Sequence, residues 1–241
     1  MNIKTEAIVL HALKYGETRI IADMFTREQG RLSFIIPAPR SERSKVKKQY
    51  LQPLTLLQLE CQVFPKQQLH RITDASILIP LPSLLSDPKK LSIGLFVSEF
   101  LYHALKGEQT NPPLFDYLRS SIEWLNECRE GAFANFHLVF LMRTARFFGF
   151  YPNLDDEGEY FDLRGAVFCP QPPMHRDFLL PQEASHIRLL MRMDFGTMHL
   201  FRLNRLERAR ILEILLTYYR LHLTDFPQLR SLQVLQELYN Q

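Results

Sequence analysis

Hydrophobic positions change their period once along this chain. Up to about residue 80 apolar side chains recur at every second position, or in short β-branched runs between turn residues, which predicts strands; beyond it they recur at three and four, which predicts helices. The clearest alternation is Thr55–Val63. There Leu57, Leu59, Cys61 and Val63 take turns with Gln58, Glu60 and Gln62, so one face is apolar and the other polar. Thr5–Leu13 and Arg19–Thr26 flank Lys14, Tyr15, Gly16 and Glu17, where Gly16 supplies the positive φ of a tight turn, and together they read as a hairpin. A second turn from Thr26 to Gly30 leads into a third strand, Arg31–Ile36. Pro65 interrupts the fourth strand and Gln67–Ile77 supplies a fifth. An SH3-like barrel has the same strand count. Strand lengths, and the longest link lying between the third and fourth strands, favour an OB barrel.

Pro80, Pro82 and Pro88 mark a boundary, because proline neither donates to a ladder nor continues a helix interior. In Leu91–Lys106 the residues Leu91, Leu95, Phe96, Phe100, Leu101 and Leu105 form one helical face. Leu114–Glu127, with the lone Trp124, is a second helix. Ala132–Phe148 is apolar on several sides, which predicts the centre of a bundle, and Gly149 stops it. Residues 150–181 read as an irregular excursion with one short hairpin near Tyr160–Phe168. Helices resume at Gln182–Met193 and Asn204–Leu221, the latter capped by Asn204, and a last one follows Ser231. The expectation is an α+β chain: a five-stranded OB barrel for nucleic acid over residues 1–80, then an all-α helical domain over 81–241 with its excursion at 150–181.

Charge sharpens this picture. Residues 1–80 hold 12 Lys/Arg against 7 Asp/Glu, whereas the remainder is slightly acidic, so the formal net charge of +3 conceals a basic first part. The connection from Pro37 to Gln49 alone carries Arg40, Arg43, Lys45, Lys47 and Lys48 against Glu42. Phosphate binding responds to local field and counterion release, so this asymmetry matters more than the total. With Lys14, Arg19, Arg31, Lys66 and Arg71 on or beside other barrel loops, these cations form a candidate track for a nucleic-acid backbone. Tyr15, Phe34 and Tyr50 are candidates for stacking a base.

Catalytic chemistry is not written in the chain. The histidines are dispersed without a His-Glu-x-x-His spacing, and Asp155–Glu157 with Glu159 lacks the ligand spacing and glycine of a calcium loop. Nine glycines occur singly, without a Walker loop or dinucleotide fingerprint, and there is no nucleophile elbow. Cys61, Cys128 and Cys169 make no close pair, which argues against a disulfide framework and a four-thiolate zinc site. No metal, cofactor or enzymatic activity is expected. Apolar stretches are interrupted by charge well short of the roughly 18 residues of a membrane span, so a soluble protein of a reducing cytoplasm is expected.

The pattern Val9-Leu10, Tyr15-Gly16-Glu17, Phe25-Thr26 with Gly30 four residues on, the Ser/Lys-rich third connection and Leu51-Gln52-Pro53 resembles the RecO family of DNA repair proteins. The helix end Phe147-Phe148-Gly149-Phe150-Tyr151-Pro152 extends the likeness across the chain. The resemblance implies a bacterial recombination mediator, cytoplasmic and nucleoid-associated during repair. Such a protein binds single- and double-stranded DNA, anneals complementary strands, and works with RecR to load RecA onto strands coated by single-strand DNA-binding protein. Many members carry a four-cysteine zinc module in the excursion; here only Cys169 stands there, so that module should be absent. An acidic tail of the single-strand DNA-binding protein needs an apolar pocket with a basic rim. Arg143 and Arg146 beside Phe147 and Phe148, or Arg205 and Arg208, are the candidates. An RNA-binding OB protein and a protein-interaction adaptor stand as alternatives.

Overall fold

The computed structural model describes residues 1–38, 44–153, 155 and 157–238 of the chain. Five strands close a barrel: β1 (Asn2–Tyr15), β2 (Arg19–Thr26), β3 (Gly30–Pro37), β4 (Leu56–Gln62) and β5 (Leu69–Ile79), in the order β1-β2-β3-β5-β4. Neighbours are antiparallel except β3 and β5, whose parallel pairing closes the barrel as an OB fold does. The strand period puts Ala7, Val9, Ala22, Met24, Phe34, Leu57, Leu59 and Cys61 inside. Three of these define the alternation of the fourth strand in the sequence.

Seven helices follow among the described residues: α1 (Pro82–Ser86), α2 (Pro88–Ala104), α3 (Pro112–Glu127), α4 (Phe136–Thr144), α5 (Pro181–Arg192), α6 (Arg205–His222) and α7 (Ser231–Leu238). Pro82, Pro88 and Pro112 each open a helix, where the missing N–H has no partner to lose. Strand gives way to helix after Ile79, whereas packing gathers Met1–Glu127 with Leu229–Gln241 into one compact unit and Cys128–Gln228 into another.

In the first unit, α2 and α3 close over part of the barrel's outer surface. The Ser98 hydroxyl donates to the Leu10 carbonyl at 2.6 Å, and Ile8 and Leu10 are buried on the outer side of β1. Phe25 meets Phe115 at 6.1 Å between ring centres. The Arg27 guanidinium holds Asp116 through two bonds of 3.1 and 3.0 Å, and Arg119 reaches Glu6 at 2.9 Å. Gly30 packs against the link between α2 and α3: its φ is +69°, and a Cβ there would lie 2.6 Å from the backbone of Glu108 and Gln109. Only glycine fits both demands. The carboxylate of Glu99 on α2 accepts from the backbone of Arg230 and Ser231 and so caps α7.

One sequence expectation fails here. Leu91 and Leu95 do not join the buried face of α2; they are 37% and 39% exposed and, with Ile77, Ile79, Leu81 and Leu85, line an open apolar groove. Phe96, Phe100 and Leu101 are buried as expected. A helical face wider than its partner surface leaves its margin in solvent.

In the second unit, the α4 residues from Phe136 to Met142 are all buried, as expected of a bundle centre. The helix is shorter than Ala132–Phe148, because both flanks tighten into i to i+3 turns, with Phe136 N–H on Phe133 and Phe147 N–H on Thr144. Burial pushes the His137 imidazole down to about 3. The Tyr219 hydroxyl donates to the Leu141 carbonyl at 2.8 Å, and the Tyr218 hydroxyl donates to that of Phe150. The expected hairpin is β6 (Tyr160–Asp162) with β7 (Val167–Cys169), joined by a two-residue β8 (Phe178–Leu179) that the sequence reading missed. Asn204 and Glu207 form a reciprocal capping box at the start of α6.

Candidate nucleic-acid interface

The outward-facing residues of β2 are Arg19, Ile21, Asp23 and Phe25, and those of β3 are Arg31, Ser33, Ile35 and Pro37, by alternation from their buried neighbours. The helices divide this surface in two. Over the half nearest Gly30, the Arg31 guanidinium lies 3.7 Å from Asp23, 4.5 Å above the Tyr102 ring, and donates to the Tyr102 carbonyl. Ser33 donates to Asp23 as well. Arg31 therefore does not stand free for phosphate as the sequence suggests: it ties the barrel to α2, and its side chain is 14% exposed.

Among the described residues no helix covers the other half of the surface. Register sets Arg19 opposite Pro37, and β5 runs beside β3 with Phe34 next to His70, so Arg71 follows on the exposed side. Arg19 and Arg71 border a cleft of about 660 Å³ with Ile35, Pro37 and Ile72 in its lining. Neither arginine makes an ion pair among the described residues.

Around this cleft the remaining cations are exposed: Lys14 near the β1–β2 tip, Lys66 in the β4–β5 turn, and Lys45, Lys47 and Lys48 on the third connection. Val46 and Leu51, 6% and 7% exposed, join the barrel core on either side of Lys47 and Lys48, and a 3-10 turn spans Lys48–Leu51. Anchoring of this kind holds the lysines outward. By its charge the segment reads as a solvated loop, and the apolar pair Val46 and Leu51 is the signal in the sequence for its anchoring. Arg40 and Arg43 lie outside the described residues.

The three stacking candidates separate by burial. Phe34 lies inside the barrel, edge-on to His70 at 6.1 Å, and cannot receive a base. Tyr50 is half-buried against the core with the Lys47 ammonium 6.0 Å from its ring. Tyr15 is 54% exposed at the hairpin tip, opposite Arg19.

The partner candidates lie in the second unit. Arg143 donates to the Met193 carbonyl at 2.7 Å, while Arg146 is exposed and stacks 4.3 Å from Tyr151. Phe148 packs on Phe150 and Tyr219, and Phe147 is half-buried. Arg208 donates to the Leu203 carbonyl. Arg205 is exposed, and beside it stand Arg202 and two outward leucines, Leu200 and Leu206, at 69% and 77%.

Cys169 is half-buried, and burial, with Asp162 nearby, raises its thiol pKa. The residues present do not fit a four-cysteine metal site, since the whole chain has three cysteines, and the described residues include no group of three His, Cys, Asp or Glu able to hold a metal ion. Among those residues no helix is long and apolar enough to cross a membrane.

Comparison with known proteins agrees with the fold. Residues 1–80 match the family model described as Recombination protein O N terminal, and residues 85–233 match Recombination protein O C terminal. A DNA repair protein RecO from Phocaeicola vulgatus is 52% identical over 239 residues, covering 98% of this chain and 99% of that protein. RecO of Bacteroides fragilis is 50% identical, with 98% and 99% covered, and RecO of Flavobacterium psychrophilum is 34% identical over the full length of both. A barrel followed by helices, matched at both ends by the family's models and along its length by these relatives, makes the chain a member of the RecO family of DNA repair and recombination proteins.

Proposed function

We propose that this chain binds single- and double-stranded DNA through the open half of the barrel and its basic connection, anneals complementary strands, and works with RecR to load RecA onto strands coated by single-strand DNA-binding protein. The carrying observation is the third connection, where Val46 and Leu51 are anchored while Lys45, Lys47 and Lys48 stay exposed beside a cleft bordered by Arg19 and Arg71. A cationic surface lowers the repulsion between two strands and raises their local concentration without reading sequence. The work is non-covalent and takes place in the bacterial cytoplasm, at the nucleoid during repair.

For the acidic tail of single-strand DNA-binding protein, the Arg205 side is favoured over the Arg143 side. Exposed Leu200 and Leu206 next to Arg202 and Arg205 supply an apolar surface with a basic rim, whereas Arg143 is held by a backbone carbonyl. RecR is expected on the barrel or at the domain junction.

The test is annealing of complementary oligonucleotides, naked and coated with the cognate single-strand DNA-binding protein, across a salt series. Acceleration on coated strands supports the mediator reading, because a generic polycation helps naked strands and stalls on coated ones. Failure on both, with a folded protein, removes annealing.

A further inference from the structure

The aliphatic groove of the first unit lies where the end of β5 meets α1 and α2. Leu85, Leu91 and Leu95 stand exposed along it, and Gly94 leaves a bare stretch of helix between the two α2 leucines. Its volume is about 720 Å³, and no charged side chain lines it among the described residues. Apolar surface left in water at this extent marks an interaction site, because covering it is favourable. Charge enters at one end. Gln49, Gln52 and Pro53 of the third connection border the groove there, and Lys47 and Lys48, exposed and in no ion pair among the described residues, directly precede them. The connection fixes these lysines relative to the groove: Val46 and Leu51 join the barrel core, and Leu54, buried with a φ of +61°, donates its N–H to the Val9 carbonyl at 2.8 Å. Ser44, further back, borders the cleft of Arg19 and Arg71. One anchored stretch of chain thus touches the groove at one end and the basic cleft at the other.

We propose that the groove receives an amphipathic helix of a partner protein, its aliphatic face on Leu85, Leu91 and Leu95 and its acidic residues on Lys47 and Lys48. An uncharged aliphatic channel takes the side chains that recur on one face of a helix, and the cationic end selects carboxylates there. The consequence rests on the DNA-binding reading above. Lys47 and Lys48 serve phosphate in that reading, so the helix and a DNA strand compete for them while Arg19 and Arg71 keep their contacts. Losing two phosphate contacts at about 0.7 each makes the salt slope less negative by about 1.4. Between 50 and 200 mM salt the helix-bound protein should therefore lose about sevenfold less DNA affinity than the free protein.

The probe is a labelled synthetic helical peptide with leucines along one face and glutamates at both ends, set against the same peptide with lysines in place of the glutamates. Fluorescence anisotropy with the full chain should show the acidic peptide bound about tenfold more tightly than the lysine peptide. Leu95→Asp and Leu85→Asp, each at an exposed position, should each weaken it about tenfold while thermal unfolding and DNA affinity stay unchanged. Lys47→Glu combined with Lys48→Glu should reverse the preference between the two peptides. A saturating amount of the acidic peptide should then produce the sevenfold change in salt sensitivity with a labelled oligothymidylate. Equal binding of the two peptides, binding of neither, or binding untouched by both leucine substitutions overturns the groove. A salt slope unmoved by bound peptide overturns the competition. Absence of DNA binding with the peptide results intact overturns the DNA reading and leaves the groove standing.

Discussion

Replacing Lys45, Lys47 and Lys48 with glutamine should flatten the salt dependence of single-strand binding by an amount set by which cations stand free. Lys14, Arg19, Lys45, Lys47, Lys48, Lys66 and Arg71 are exposed around the open half of the barrel, and Arg31 is engaged with Asp23 and Tyr102. Each phosphate neutralised on a single strand contributes about −0.7 to the slope of log K against log salt, so removing three contacts should make the slope less negative by about 2. Between 50 and 200 mM salt the triple variant should therefore lose about 20-fold less affinity than the unaltered protein. Anisotropy of a labelled oligothymidylate across that range measures both slopes. Arg31→Gln is the control: it should leave the slope alone and lower stability instead. An unchanged slope in the triple variant, or a slope that falls in Arg31→Gln with the fold intact, would refute the assignment.

Three further outcomes follow from packing. Burial holds the His137 imidazole neutral, with a pKa near 3 against an ordinary 6.5, so the unfolded chain binds more protons between those values; its contribution is complete above about pH 6.5 and falls as pH drops towards 3. By pH 5 the loss is about 2 kcal/mol, which urea unfolding at pH 7.5 and 5 would register, and His137→Gln should lessen that difference. Leu101→Ala should cost about 2–5 kcal/mol because Leu101 is fully buried, whereas Leu95→Ser on the open groove should cost less than about 1 kcal/mol in thermal unfolding. Asn204→Ala removes the side-chain half of the α6 capping box and should lower stability by about 1 kcal/mol in urea titration.

What the sequence determined by itself was every feature settled by near neighbours. The alternation of Leu57, Leu59 and Cys61 fixed which face of β4 enters the barrel, Gly30 marked a turn, and Asn204 announced the start of α6. The N-terminal motifs pointed to the RecO family before any geometry was known. Only the tertiary structure decided which of two exposed-looking cations remain exposed: Arg19 borders an open cleft, while Arg31 is claimed by Tyr102, 71 residues away. It also decided that Phe34 is core and Tyr15 surface, that Leu91 and Leu95 line a groove, and that α7 packs with the first unit through Glu99. A residue's period follows from its own few neighbours along the chain, whereas its coverage depends on surfaces brought from distant segments, and no local pattern carries that information.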